Sequence, residues 1–375
     1  MNGSGPLHPP ALGAAENASG ARVHREGAAV ALAVEVVDPL VYDRWDADLE
    51  VFPGTTFFHG SAWLRVLRSS YGHRVLGFIV RRNGQPCAMA PVVVADSMWL
   101  GRRAACVAFA DFAEPLARDT SSWSCLCDAT VVRGALEGWR TVEFRGGREW
   151  QLHHSPSTVF RAHELDLTPG PGELLSKMES ATRRNIRKAE REGVRTEVSE
   201  SALAVEHYYA LHCRTRKRLG SPPQPWHFFR SVWEHVIHRR RGFVVLAWCG
   251  KVPVAGVVVL THGALAVYKF GASDERYHSL RPSNAAMWTA IEHCAGAGIR
   301  RYHFGRTSMH DEGLRRFKLG WGASESILEY FRMDVKSGKI VEKRDAAGKW
   351  PSRILSRLPI PVMRGVGQIL YPHLI

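Results

Sequence analysis

The chain has 375 residues, a formal net charge of +14 and a pI of about 9.7. At 45% hydrophobic residues with 12 tryptophans it is mostly globular, and its length favours two medium cores over one large one. Seven scattered cysteines exclude a disulfide framework and fit a reduced cytoplasmic compartment, while the positive excess favours a nucleic acid, an anionic membrane face or a phosphorylated substrate without choosing among them.

Residues 1–30 are rich in Gly, Ala, Pro and Asn and lack an apolar core segment, so they read as a disordered tail rather than a signal peptide. Ser61-AWLRVLRSSYG reads as a helix. Gly77-FIVRRNGQPCAMAPVVV then reads as a hairpin turning at Gly84. Gly242-FVVLAWCGKVPVAGVVV repeats that hairpin after one gap, with its turn at Gly250, and it too follows helical sequence, Pro225-WHFFRSVWEHVIHRR. Helix and hairpin in the same order twice point to a duplicated domain, with chance similarity of two hydrophobic hairpins as the alternative. The expected division is 31–165 and 166–340.

Cys125 and Cys127, upstream of His153-His154, lack the paired spacing of a zinc site, and no metal is expected. Ala181-TRRNIRKAEREG is the densest basic segment. On a helix it aligns Arg183, Arg187 and Arg191, with Arg184 and Lys188 beside them and Met178, Ile186 and Ala189 opposite. A solvated helix face is the ordinary alternative, and no DNA-binding or RNA-binding module surrounds the run, so no DNA partner is expected.

The apolar region Phe243 to Gly271 is cut at Gly250-Lys251 and Thr261-His262-Gly263 into strand-length pieces. Val244–Trp248, Val252–Leu260 and Ala264–Phe270 form an antiparallel meander, not a membrane span. A helix follows Pro282 and ends at Gly298. The strand Ile299–Phe304 is expected to break at Gly305, leaving Arg306 and Ser308 at its carboxyl edge, where open α/β sheets place ligand-binding groups. Leu314, Phe317 and Lys318 lead into Trp321-Gly322-Ala323. Residues 341–375 mix basic and apolar residues with Pro351, Pro359 and Pro361, which suits an anionic membrane surface or packing onto the body.

Phe304-GRTS, Gly313-Leu314, Phe317-Lys318 and Trp321-Gly322-Ala323 together resemble the closing motif of the FemAB-like branch of the GNAT acyltransferases, related to CelD/BcsL-type envelope proteins. The similarity covers roughly residues 35 to 335 and is stronger in the second half. It implies an α/β (α+β) fold of two tandem GNAT-like domains, each a mixed, mostly antiparallel sheet flanked by helices, with the cleft mainly in the second. It also implies transfer of an acyl group, acetyl or aminoacyl, to an amine or hydroxyl of a cell-envelope or exopolysaccharide precursor on a phosphorylated lipid or nucleotide carrier. The donor would be acyl-CoA or, as in FemX-like relatives, aminoacyl-tRNA.

The resemblance assigns roles residue by residue. The loop Ser273-DERYHSLRPS corresponds to the GNAT pyrophosphate cradle; Arg276 fits its first position, whereas Ser279 and Arg281 stand where glycines belong. Arg281 is itself a phosphate partner by charge. Lys318 becomes the oxyanion-stabilising cation, Arg306 and Ser308 anion-holding groups, and Tyr268 a phenolic acid near the donor. Arg183, Arg184, Arg187 and Lys188 reach towards substrate phosphates or tRNA. Asp111, in Phe109-ADFAEPL, binds the acceptor, with Arg65 or Arg68 as a further basic group. No Ser-His or Cys-His pair is recognisable, so direct transfer is expected. A GNAT-fold scaffold that lost the reaction is the alternative, and the altered loop speaks for it.

Overall fold

The computed structural model describes residues 31–148, 154–341 and 355–375. The first half begins with β1 (Leu32–Val37), α1 (Trp45–Leu49) and α2 (Ser61–Tyr71). In α2 the apolar residues Ala62, Trp63, Leu64, Val66 and Leu67 are buried, and Gly72 ends the helix. Then come β2 (Arg74–Arg82) and β3 (Gln85–Ala95). Their two-residue turn, Asn83-Gly84, has both φ angles positive (53° and 77°), the conformation whose twist matches the flanking strands. The half is completed by β4 (Arg103–Cys106), β5 (Leu116–Ala117), α3 (Thr120–Leu136), β6 (Thr141–Arg145) and β7 (Thr158–Asp166).

The second half opens with α4 (Pro171–Lys177), α5 (Ser180–Arg191), β8 (Val194–Ser199), α6 (Ala202–Arg218) and α7 (Trp226–His235). The meander follows as β9 (Gly242–Cys249), β10 (Val252–His262) and β11 (Leu265–Ser273), then α8 (Pro282–Gly296), β12 (Arg301–Ser308), α9 (Glu312–Leu319) and β13 (Ser324–Asp334). After the last undescribed segment comes α10 (Ile360–Leu370).

The duplication is visible element by element. The order α2-β2-β3-β4-α3-β6 recurs as α7-β9-β10-β11-α8-β12, and α2 packs directly on α7. Trp63 meets Phe228 edge-on at 6.0 Å, and Tyr71 stacks on Phe228 at 5.6 Å. Both halves share one sheet of order β1-β2-β3-β4-β6-β13-β7-β12-β11-β10-β9-β8, with β5 beside β3. It is antiparallel except for two pairs, β4 with β6 and β11 with β12. At its centre two strands cross between the halves: β13 pairs with β6, and β7 pairs with β12. One core lies between the sheet and α2, α6 and α7, a second beneath α4, α5 and α8, and a third beneath α3.

One expectation changes, and one open alternative is decided. The strand does not end at Gly305. That residue takes φ +71° and absorbs a register shift between His303 and Arg306, after which β12 resumes pairing with β7 through Ser308. Of the two alternatives for the last residues, the described ones show packing onto the body. Met363 and Tyr371 are buried, and the Tyr371 hydroxyl donates to the Pro222 carbonyl at 3.3 Å. Residues 1–30, His153 and residues 342–354 lie outside the described residues. Among the described residues no helix is long and apolar enough to cross a membrane.

Candidate functional site

The site grows from a fork in the sheet. Strands β11 and β12 pair only over Leu265–Val267 and Arg301–His303; beyond this β12 turns to β7 and the two part. A cavity of about 390 Å³ fills the fork on the side of α8. Its walls include Gly256 from β10, Tyr268 and Ser273 from β11, and Arg218 at the end of α6. His278 and Arg281 come from the loop, Pro282 and Met287 from α8, and Leu314 and Phe317 from α9. Burial pushes the Tyr268 phenol up to about 12, so it keeps its proton at neutral pH and is a donor.

On the opposite face of the fork a charged cluster joins the two halves. Strand β11 bulges: Phe270 pairs with Val258 and Tyr268 with Val259, leaving Lys269 as the extra residue. Lys269 donates to the Phe109 carbonyl at 2.6 Å and to Asp111 Oδ2 at 3.2 Å. Its ammonium lies 5.0 Å from the Phe58 ring centre and 5.6 Å from that of Trp63. Burial lowers the Lys269 pKa against the pull of Asp111. For Asp111, burial acts upward, but Lys269 and then Arg306 outweigh it and hold the carboxyl below its usual range.

Arg306 lies over the Phe160 ring at 4.6 Å, donates to the Tyr330 hydroxyl at 3.1 Å, and brings Nε within 3.9 Å of Asp111. The Tyr330 hydroxyl in turn donates to the Asp111 carbonyl at 2.6 Å. Lys318 is 2% exposed, and its Nζ donates to the carbonyls of Gly305 (2.9 Å), within the β12 irregularity, and Arg306 (3.1 Å), where pairing resumes. Burial brings its pKa down to about 8. His303 Nδ1 accepts from the Gly305 N–H at 2.9 Å, and its ring stacks on Phe112. Burial takes that imidazole down to about 3, so it is neutral.

The structure thus brings Asp111, Arg306, Lys318 and Tyr268 to one fork. Arg281 stands at the start of α8 with φ +58°, lining the cavity, and no side chain caps that helix. Arg276 is bound to Asp274 at 2.6 Å, and Arg214 reaches the same carboxylate at 2.9 Å. The hydrogen bonds from Arg276 draw the Asp274 pKa down to about 2. Ser308 is exposed, its hydroxyl accepting from the His310 N–H at 3.4 Å.

The basic residues of α5 do not line the cavity. Arg183 donates to the Ser176 and Met178 carbonyls at the end of α4, which ties down a helix terminus. Arg184 donates to Ser180 Oγ, while Arg187 and Lys188 have no polar partner among the described residues. Arg65 and Arg68 are engaged at the Leu40 carbonyl and Asp38. Sequence reasoning missed Lys269. A lysine between Tyr268 and Phe270 in an apolar strand was the available signal.

Residues 176–332 match the family model described as an acetyltransferase (GNAT) domain. The fold is similar to that of FemX, with a TM-score of 0.61 at 13% identity over 76% of this chain and 94% of that one. It is also similar to a tandem GNAT protein from the clavulanic acid biosynthesis pathway, with a TM-score of 0.55 at 11% identity, covering 81% and 98%. No curated protein matches the chain by sequence. The family match identifies an acyltransferase. Residues 176–332 therefore form a GNAT acetyltransferase domain, and the described fold as a whole is similar to that of FemX and of tandem GNAT proteins.

Proposed function

We propose that the chain transfers an acyl group from a phosphate-bearing donor to an amine or hydroxyl of a cell-envelope or exopolysaccharide precursor. The observation that carries this is the cavity at the fork, whose mouth combines the uncapped start of α8 with Arg281, Arg218 and His278. A helix N-terminus framed by two arginines favours phosphate. The residues present fit coenzyme A in an altered form. Arg281 already adopts a left-handed conformation of the kind a cradle glycine supplies, and it adds a guanidinium in place of a hydrogen.

The acceptor approaches from the Asp111–Arg306 face, where Asp111 attracts an ammonium or hydroxyl and Arg306 holds an anionic group of its carrier. As the free amine or hydroxyl, the nucleophile bonds to the acyl carbon and gives its proton to solvent, while the bond from that carbon to the donor sulfur or ester oxygen breaks. Lys318, with one N–H not used by the two carbonyls, stabilises the oxyanion, and the departing sulfur or ester oxygen takes a proton from Tyr268. Positioning contributes the remainder. FemX-like relatives imply aminoacyl-tRNA as the alternative donor, and the arginine-rich composition accommodates either.

Calorimetric titration with acetyl-CoA, longer acyl-CoAs and coenzyme A tests the reading. Binding that weakens in Arg281→Ala supports a CoA-dependent transferase. Absence of CoA binding together with salt-sensitive tRNA binding would support the aminoacyl version. Absence of both would leave a non-catalytic scaffold.

A further inference from the structure

A second cavity of about 600 Å³ adjoins the first and shares Arg218 and Ser273 with it. Its walls come from three separate parts of the chain: Arg214, Lys217 and Arg218 on α6, Arg276 on the loop before α8, and Ser356 and Ile360 on the C-terminal segment. Four cations face two carboxylates, Asp274 and Glu275, and Asp274 is already held by Arg214 and Arg276. Lys217 and Arg218 have no carboxylate or hydrogen-bond partner among the described residues. Cations in the last turn of a helix complement its dipole, which accounts for their presence on α6. It does not account for an arginine from another element, or for a wall supplied by a segment far along the chain.

That segment is fastened firmly. Gly367 lies against the Pro223 carbonyl so closely that a methyl group there would overlap it. Arg216 donates to the Tyr371 hydroxyl at 3.2 Å, and His73, from the first half, meets the Pro372 carbonyl at 2.9 Å.

We propose that the C-terminal segment is a wall of the donor site, enclosing with α6 and the loop a basic lobe for the phosphorylated nucleoside portion of the donor. The inference rests on the donor reading above. The acyl end lies in the fork and the nucleoside phosphates lie beneath the C-terminal segment, so this segment contributes to donor affinity although it is remote from the reacting atoms. Coenzyme A carries such a group at the far end of its pantetheine arm, and in an aminoacyl-tRNA the nucleotides preceding the terminal acylated adenosine would occupy the lobe.

Calorimetry of the full chain with adenosine 3′,5′-bisphosphate tests this. Lys217→Glu and Ile360→Glu are each expected to weaken binding by about tenfold or more, with unchanged circular dichroism. Gly367→Ala, outside the lobe, is expected to expose the segment to protease and weaken binding as well. Failure of the bisphosphate to bind the native chain, or equal binding by Ile360→Glu and Gly367→Ala, overturns the proposal. Displacement by coenzyme A supports the lobe and identifies a CoA donor; displacement by bulk tRNA alone supports it with a polynucleotide donor. The probe carries no acyl group, so intact bisphosphate binding in a chain without transfer activity would overturn the transferase reading and leave the lobe standing.

Discussion

The two halves contain the same fork, and the described side chains around it differ. In the first, β4 and β6 pair over Arg103–Ala105 and Thr141–Glu143, the counterpart of the short β11–β12 pairing. There the buried Arg145 ties the following loop to the sheet, donating to the carbonyls of Val107 (3.1 Å) and Ala110 (2.9 Å) while paired with Glu143. The helix that follows is also closed: Asp119 accepts from the Ser122 N–H at 2.9 Å and pairs with Arg82. Its counterpart α8 starts at Arg281 without a side-chain cap, beside a cavity. A duplicated topology therefore specifies where a site can form, and the side chains that leave the fork unfilled and the helix start unpaired specify that it does.

The contrast can be broken at its strongest point. Lys269→Ala removes the cation that neutralises Asp111 at the junction of the halves, and should destabilise the protein by about 3 kcal/mol or more, read by urea denaturation. Lys269→Met, which keeps the stem volume, should show how much of that loss is packing. Next in size, Lys318→Met should lower transfer by about 10²-fold with donor binding retained, if the ammonium acts on the oxyanion.

A pH profile sharpens that test. With the Lys318 pKa near 8, the charged form prevails below that pH, so transfer should fall as pH rises through about 8, and Lys318→Arg should move the falling limb upward. The stability effect runs the other way. The unfolded chain holds this proton up to the ordinary value near 10.5, so it binds more protons between about 8 and 10.5, and this group makes stability rise across that window.

Smaller effects separate the two helix starts. Asp119→Ala should cost about 1 kcal/mol of stability and leave donor binding unchanged, because that cap serves structure alone. Arg281→Gly should do the reverse. Relief of a left-handed arginine should raise stability by about 1 kcal/mol, while titration shows weaker donor binding.

Local signals made much of this legible. The Asn83-Gly84 turn and the repeated Gly-Phe hairpins revealed the duplication, and Phe317-Lys318 pointed to the fork. The errors came from geometry that pattern does not encode. Gly305 reads as a strand terminator but serves as an irregularity within one, and the extra residue at Lys269 puts a lysine where alternation places no site. Nor does a charge run reveal that the Arg183 guanidinium binds a neighbouring helix end. The crossing of β7 and β13 rests on pairing between distant segments, which no local period announces.

That crossing determines how the protein is made. As the chain leaves the ribosome, the first half emerges with the edge of β6 unpaired, and its partner β13 arrives only after almost all of the second half has been synthesised. The middle of the sheet therefore closes last, through contacts between segments far apart in the chain, which slows folding and leaves a strand edge exposed in the interval. A gene split between β7 and α4 would yield two fragments that each lack a strand held by the other, and co-expression, rather than either fragment alone, should restore the fork.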